Sequence, residues 1–282
     1  MSLSQAQIDR LITVTRDVAQ EVVMPRFRSS ADVDVKAKKH VFDLVTEADL
    51  LCEQRLTQVV PDILPGSTFV GEEGVASDPG LLSHVATADR CVVLDPVDGT
   101  WNFASGLPTF GLILSVVEKG IPVFGMLYDI LHDSWVAAEA GGGAFLFQPE
   151  KEPRKLLLGA QHQNPLSGFY SPFEFPEEAK LPLAELALSF GHVTSLRCAC
   201  YEYLTLLQGH SDFILSAGVN PWDHLAGLLA VKEAGGRSGL VGRGAYRTDY
   251  TQGSLLTVAD PERFETLEAK FAAALGQTIS AT

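Results

Sequence analysis

The sequence of 282 residues contains only four cysteines, and their spacing argues against a zinc site or a redox pair. Cys52 and Cys91 stand alone, and Cys198-x-Cys200 has neither a Cys-x-x-Cys spacing nor a histidine partner at zinc-ligand spacing in the sequence. Free cysteine is most often a small, buried side chain. We therefore expect four buried free thiols, as is usual in a reducing compartment.

Positive charge and long apolar runs are also scarce. Lysine and arginine total 21 against 35 aspartate and glutamate residues, so the formal net charge is −14. This balance disfavours nucleic acid or an anionic membrane as a partner, because both attract a positive surface. No apolar stretch reaches the roughly 18 residues of a membrane-spanning helix, and the polar N-terminus does not resemble a secretory signal. These features predict a cytoplasmic protein that binds neither nucleic acid nor membrane.

The chain is nevertheless rich enough in apolar residues, at 46%, to build one large domain or two coupled lobes. Hydrophobic periodicity predicts helices from a capping box at Ser4 to Pro25 and near 49–60, 181–190, 199–209, 222–234 and from 261. Predicted strands lie near 68–70, 91–94, 109–118, 121–128, 134–138, 144–147, 193–196, 212–215 and 254–258. We expect an antiparallel α+β lobe over residues 1–147, an α/β lobe over 148–282, and a cleft between them.

Two carboxylates three residues apart stand out in the segment Asp95-Pro-Val-Asp98-Gly99-Thr100. The apolar run before them predicts that they lie where a buried strand ends. Carboxylates at a strand end can converge on a hard cation, which prefers oxygen ligands. Gly99 and Thr100 can then offer backbone N–H groups and a hydroxyl to a phosphate. The alternative is an ordinary Asp-Pro turn that ends a strand.

Other acidic residues also lie at the ends of predicted elements. Glu72 and Glu73 follow the predicted strand at 68–70, while Asp49 and Asp223 each begin a predicted helix. Taken singly, Asp49 and Asp223 are well explained as helix caps, and Glu72 as a surface acid. Their common placement at element ends favours one shared site.

Together these segments resemble the inositol monophosphatase family of lithium-sensitive, magnesium-dependent phosphatases. The matching motifs are Asp43-Leu-Val-Thr-Glu-Ala-Asp49, Gly71-Glu-Glu73, Asp95-Pro-Val-Asp-Gly-Thr-Trp-Asn-Phe103, and Trp222-Asp-His-Leu-Ala-Gly227 with Glu233-Ala-Gly-Gly236. Their order and spacing agree from about residue 8 to residue 275. The resemblance implies a layered α-β-α-β-α sandwich of the sugar-phosphatase type, and a homodimer.

The resemblance also implies roles for individual residues. Ligands of two to three Mg²⁺ ions would be Glu72, Asp95, the Val97 carbonyl, Asp98 and Asp223. The attacking water would be oriented and deprotonated with the help of Asp49, Thr100 and Glu72. Substrate contacts would come from Asp98, Gly99, Thr100, Arg197, Ala199, Ser216 and Asp223. The residues that would position the ligands without contacting the substrate are Glu73, Lys38 and Asp43. Lys38 and Asp43 are equally well explained as solvated charges.

Two positions depart from the family pattern. Members that act on inositol phosphates usually carry glutamate where this chain has Ser216, and glycine where it has Arg197. A lost glutamate and a gained arginine shift the expected pocket toward positive charge. The hypothesis is a substrate with a second anionic group, or with a hydroxyl pattern unlike that of myo-inositol monophosphate. The alternative is that Arg197 points outward or pairs with Glu202.

The expected function is therefore that of a Mg²⁺-dependent phosphomonoesterase. Its substrate would be inositol monophosphate or a similar small polyol or sugar phosphate, attacked by a metal-activated water. Histidinol-phosphate, phosphoadenosine-phosphate and fructose-1,6-bisphosphate phosphatases on the same scaffold are the alternatives. A further alternative is a binding protein without catalytic activity, although the intact acidic motifs argue against it.

Overall fold

The computed structural model describes residues 3–29, 36–37, 44–159 and 165–278. Its first helix, α1 (Gln5–Val18), begins at the predicted capping box, in which the Ser4 side chain accepts the Gln7 N–H and the Gln7 side chain accepts the Ser4 N–H. The helix continues as a π-helical turn at Ala19–Val23 and a 3-10 turn at Met24–Arg26. The chain leaves helical geometry just beyond Pro25, which lacks a backbone donor.

The remaining elements follow in chain order. Helices are α2 (Glu47–Val59), α3 (Glu72–Ser77), α4 (His84–Thr87), α5 (Thr100–Ala104), α6 (Glu177–Ala187), α7 (Ala199–Leu207), α8 (Pro221–Ala234) and α9 (Phe264–Ala274). Strands are β1 (Lys36–Ala37), β2 (Leu44–Val45), β3 (Thr68–Gly71), β4 (Cys91–Asp98), β5 (Gly111–Glu118), β6 (Ile121–Asp129), β7 (Ser134–Glu139), β8 (Gly143–Phe147), β9 (Arg154–Lys155), β10 (Ser167–Phe169), β11 (His192–Thr194), β12 (Phe213–Ser216), β13 (Arg237–Leu240) and β14 (Leu255–Val258).

Most of the strands form two sheets of different character. The larger has seven strands in the order β3-β4-β5-β6-β7-β8-β9, and only the β3–β4 pair in it is parallel. The smaller has five strands in the order β11-β10-β12-β14-β13 and is parallel across β11, β10 and β12. A short antiparallel pair, β1–β2, stands apart from both.

Alternation along the strands sends side chains to both faces of each sheet, and the three largest of the five hydrophobic clusters among the described residues show the layer order. One face of the large sheet, with Leu94 and Leu112, packs against α1 and α2. Its other face, with Ile113 and Leu127, packs against α7 and α8, which also contact Ile214 of the small sheet. The outer face of the small sheet packs against α6 and α9. The expected α-β-α-β-α sandwich is confirmed.

Several local expectations need correction. Strand β4 runs through Asp98 instead of ending at residue 94, because antiparallel pairing with β5 continues to Asp98 after parallel pairing with β3 has ended at Leu94. Strands β10 and β13 were not predicted from the sequence, since their Ser-Gly-Phe and Arg-Ser-Gly-Leu segments show no clear alternation. Their pairing in the small sheet makes them strands. The lobe boundary at residues 147–148 stays a prediction.

Two expectations from composition can also be compared with the structure. All four cysteines are free and buried, as expected. Within the described parts of the chain, no helix is both long and apolar enough to cross a membrane.

Candidate active site

Strand β4 carries the first two carboxylates of the site. Its pairing with β5 shifts register between Asp95 and Asp98, and such a bulge changes the direction in which side chains point. Both side chains are buried. Asp95 Oδ1 accepts the Val97 N–H at 3.1 Å, and Asp98 Oδ2 accepts the Cys200 N–H at 2.5 Å. The second contact ties the end of β4 to the first turn of α7, in the next layer.

The turn after Asp98 depends on Gly99. Its backbone is left-handed, with φ 86° and ψ 36°, and a Cβ there would lie 2.9 Å from the Thr109 carbonyl oxygen. Both facts favour glycine. Helix α5 begins directly after it, and the Thr100 hydroxyl donates to the Val97 carbonyl at 3.0 Å. Gly99 and Thr100 therefore lie at a helix start beside both carboxylates, as the sequence suggested.

Asp49 joins this group from α2. The sequence suggested that Asp49 is the N-cap of this helix, but the N-cap is Thr46. Asp49 is the third residue of the helix and completes a capping box with Thr46. Its Oδ2 accepts the Thr46 N–H at 2.9 Å and the Thr46 hydroxyl at 2.5 Å. Its Oδ1 lies 3.4 Å from the Thr100 hydroxyl. The side chain therefore caps a helix and also reaches the site.

Glu72 and Glu73 form the first turn of α3, directly after β3. Their backbone is held by Glu53 of α2, whose carboxylate accepts the Glu73 N–H at 3.0 Å and the Gly74 N–H at 2.7 Å. Sequence reasoning missed Glu53. The available signal was its spacing, because it lies four residues after Asp49 and so on the same face of α2.

Asp223 enters the same cleft from the first turn of α8. Its Oδ2 accepts a hydrogen bond from the Asn220 side-chain amide at 3.1 Å. The structure thus brings Glu72, Asp95, Asp98, Thr100 and Asp223 to one cleft of about 390 Å³. Lys38 and Asp43 lie outside the described residues.

Burial and neighbouring charges raise the pKa of three carboxylates in the cleft, Asp95, Asp98 and Asp223. Burial, and then the charges of Glu72, Asp98 and Asp223, raise the pKa of Asp95 well above its usual value. Burial also raises the pKa of Asp223, followed by the charges of Asp98 and Glu72. The pKa of Asp98 is raised to about 6, mainly by burial, although hydrogen bonds from Cys200 and Cys198 lower it. A cation would relieve this repulsion.

The donor chemistry of the cleft fits a hard divalent cation, because every candidate ligand is an oxygen. Among the described residues, no three His, Cys, Asp or Glu side chains already stand together as a complete ligand set. The fit therefore rests on the shared cleft, the oxygen donors and the mutual repulsion of the carboxylates.

The rest of the cleft has more acidic side chains than the sequence suggested. Arg197, Ala199 and Ser216, the expected substrate contacts, all line it. Residues that sequence reasoning had not placed there include Trp101, Tyr170, Glu174, Glu202 and Trp222. The gained arginine is therefore accompanied by two carboxylates, which offset the expected shift toward positive charge.

Arg197 has a backbone conformation that glycine adopts more easily than other residues. Its φ is 53°, in the left-handed region. Its guanidinium lies over the Trp101 ring, 4.0 Å from the centroid. The Asn102 side chain donates to the Leu196 carbonyl at 2.8 Å, and Glu202 Oε1 accepts the Leu196 N–H at 2.9 Å. These two contacts fix the loop that presents Arg197 to the cleft.

Comparison with known proteins agrees with this geometry. The family model of the inositol monophosphatase family matches residues 5–277, so the chain belongs to that family. Members are phosphoric monoester hydrolases, and this chain is therefore a phosphatase of the same class.

Individual relatives cover most of the chain. The chain is 29% identical over 247 residues to the bifunctional phosphatase IMPL2 of Arabidopsis thaliana, a match that covers 83% of this chain but only 65% of the plant protein. It is 30% identical to a fructose-1,6-bisphosphatase/inositol-1-monophosphatase of Thermotoga maritima, covering 72% of this chain and 74% of the relative. The solved Thermotoga maritima IMPase shares the fold with a TM-score of 0.78 at 23% identity, covering 96% and 99% of the two chains.

Proposed function

We propose that the protein hydrolyses monophosphates of small polyols or sugars, with two to three Mg²⁺ ions held by Glu72, Asp95, the Val97 carbonyl, Asp98 and Asp223. The observation that carries the proposal is that these carboxylates share one cleft with Gly99 and Thr100. When bound, the cations would neutralise the phosphate dianion and lower the pKa of a coordinated water. Hydrolysis needs little covalent work from the protein, so placing charge and water is the main task of the site.

The protein's own residues would position the reacting groups. Thr100 and Asp49 are 3.4 Å apart, and together they can hold a water and accept its proton. The Asp49 carboxylate is fixed for this by its bonds to Thr46. Gly99 and Thr100 begin α5, where backbone N–H groups can receive phosphate oxygens. Glu73 would support Glu72 from the following position of the same turn.

The test is phosphate release from a panel of esters, with Mg²⁺ and with EDTA. The panel is myo-inositol 1-phosphate, glycerol 2-phosphate, L-histidinol phosphate, 3′-phosphoadenosine 5′-phosphate and fructose 1,6-bisphosphate. We expect Mg²⁺-dependent release from at least one ester and none from the Asp223→Asn variant. Asp62→Asn, at an exposed position of a 3-10 turn, is the matched control. Mg²⁺ binding without release from any ester would support a binding protein instead.

The homodimer and the division into two lobes at residues 147–148 belong to the same proposal. Light scattering of the purified protein measures the oligomeric state directly. Two separate unfolding transitions in calorimetry would support the division into two lobes, whereas one transition would favour a single cooperative unit.

A further inference from the structure

Two carboxylates of the cleft lie outside the set that the proposed function uses. Glu202 comes from the first turn of α7, and Glu174 from the 3-10 turn Pro172–Glu174. Both line the same cleft as Asp98 and Asp223. They are close enough that the charge of Glu174 raises the pKa of Glu202. The cleft thus has a second acidic wall beside the metal carboxylates.

Glu202 is half-buried, and its hydrogen bonds to the described residues involve only one of its oxygens. Oε1 accepts the Leu196 N–H at 2.9 Å and lies 3.5 Å from the Ser195 hydroxyl. Within the described residues, Oε2 has no hydrogen bond. Burial, together with the charges of Glu174 and Asp98, raises the pKa of Glu202 to about 8, against the lowering effect of the hydrogen bonds from Leu196 and Ser195. A carboxylate partly shielded from water in this way gains most from a positively charged partner.

The positive charge of this wall is already partly engaged. Arg197 is the sole lysine or arginine among the cleft-lining residues that the structure describes. Its guanidinium stacks on Trp101. Burial raises the pKa of Glu174, and the charge of Arg197 only partly offsets that rise. One guanidinium therefore faces two carboxylates. Partial burial disfavours the charged forms of both carboxylates, so a cationic group on the substrate would be favoured here because it stabilises those forms, whereas a second anionic group would not.

We infer that the substrate carries a protonated nitrogen in addition to its phosphate, as an amino-alcohol phosphate does, and that Glu202 and Glu174 bind this nitrogen. The inference rests on the proposed function for the placement of the phosphate at the metal carboxylates. An ammonium group can donate to the open oxygen of Glu202 while its charge lies near Glu174. A hydroxyl group of a neutral polyol could form the same hydrogen bond but would bring no positive charge. The two carboxylates therefore favour an amine over an alcohol of the same size.

The test compares two esters that differ in one group, 2-aminoethyl phosphate and 2-hydroxyethyl phosphate. With Mg²⁺, we expect kcat/KM of the wild type to favour the amine by about tenfold or more, mostly through KM, as a charge-assisted hydrogen bond implies. Glu202→Gln keeps an acceptor for the Leu196 N–H and should remove most of that preference. Glu174→Gln should reduce it. Glu178→Gln, at an exposed position of α6, is the control and should leave it unchanged.

Two results would overturn the inference. One is an equal kcat/KM for the two esters in the wild type, and the other is an amine preference that survives both Glu202→Gln and Glu174→Gln. p-Nitrophenyl phosphate separates this failure from failure of the proposed function. If Mg²⁺-dependent release from it is normal while the amine preference is missing, only the inference fails.

If no ester is turned over, thermal shifts decide the question. The amine ester should then raise Tm of the wild type more than the hydroxyl ester does, and the difference should vanish in Glu202→Gln. Equal shifts in the wild type would contradict the inference independently of catalysis.

Discussion

Gly71 and Glu53 share a space that admits only one side chain. A Cβ on Gly71 would overlap the Glu53 carboxylate, which is held there by the backbone N–H groups of Glu73 and Gly74. The absence of a side chain on Gly71 thus lets α2 hold the turn that carries Glu72. Glu53 is a positioning residue, since it acts on the proposed metal ligand through the backbone of α3.

Gly71→Ala should push the Glu53 carboxylate off these two donors. We expect a loss of about 2 kcal/mol in the free energy of unfolding, from two hydrogen bonds at roughly 1 kcal/mol each. The Mg²⁺ concentration for half-maximal activity should also rise, which a purely structural loss would not cause. Gln54→Ala, an exposed change on the same helix, should leave both quantities unchanged. Unaltered Mg²⁺ dependence in Gly71→Ala would refute the positioning role.

Asp95→Asn should abolish turnover and yet stabilise the metal-free protein at alkaline pH. The folded-state pKa of Asp95 is raised, so the metal-free fold loses stability as pH rises above the unfolded pKa of about 3.9. Removing the charge should restore about 1–3 kcal/mol at pH 8 in EDTA. Saturating Mg²⁺ should reverse the order and make the wild type the more stable protein. Urea unfolding of the two proteins in EDTA and in Mg²⁺ measures both differences in stability. A wild type that is more stable than Asp95→Asn in EDTA would contradict the assignment.

Arg197 holds a left-handed backbone that glycine adopts more easily, so its two simplest replacements should differ. Arg197→Ala keeps the backbone strain and loses the contact with Trp101. Arg197→Gly loses the same contact but relieves strain of roughly 1 kcal/mol. The alanine variant should therefore unfold at lower urea than the glycine variant. The two variants should show the same substrate selectivity, since both lack the guanidinium. A glycine variant less stable than the alanine variant would show that strain is not decisive there.

Glu202→Gln should become more stabilising, relative to the wild type, as pH rises. The folded pKa of Glu202 is raised to about 8, against about 4.3 for an unfolded glutamate, so wild-type stability falls as pH rises through this window. The upper limit of the loss is about 1.36 kcal/mol per pH unit. Below about pH 4 the carboxyl is protonated in both states, and the two proteins should converge. Tm of both proteins measured from pH 4 to pH 9 tests this. Glu178→Gln is the control, and its difference in Tm from the wild type should not change with pH.

Much of the fold follows from the sequence, because hydrophobic periodicity is a local property. Helix α8 and strands β5 to β8 lie close to their predicted bounds, since each is an apolar segment whose own residues, with the turn residues beside it, mark its ends. The bulge in β4 and strands β10 and β13 were not predicted. Each of them depends on how a neighbouring strand pairs, which the segment itself does not encode.

The candidate site divides in the same way. The sequence is enough to predict which carboxylates follow strands or begin helices, and the order and spacing of these motifs indicate the family. The position of Glu53 under the turn of Glu72, and the cleft that Glu174 and Glu202 share with Arg197, are visible only in the folded protein. These residues come from segments distant in the chain or from turns without periodicity. Their proximity is set by how the layers pack and therefore has no local signal in the sequence.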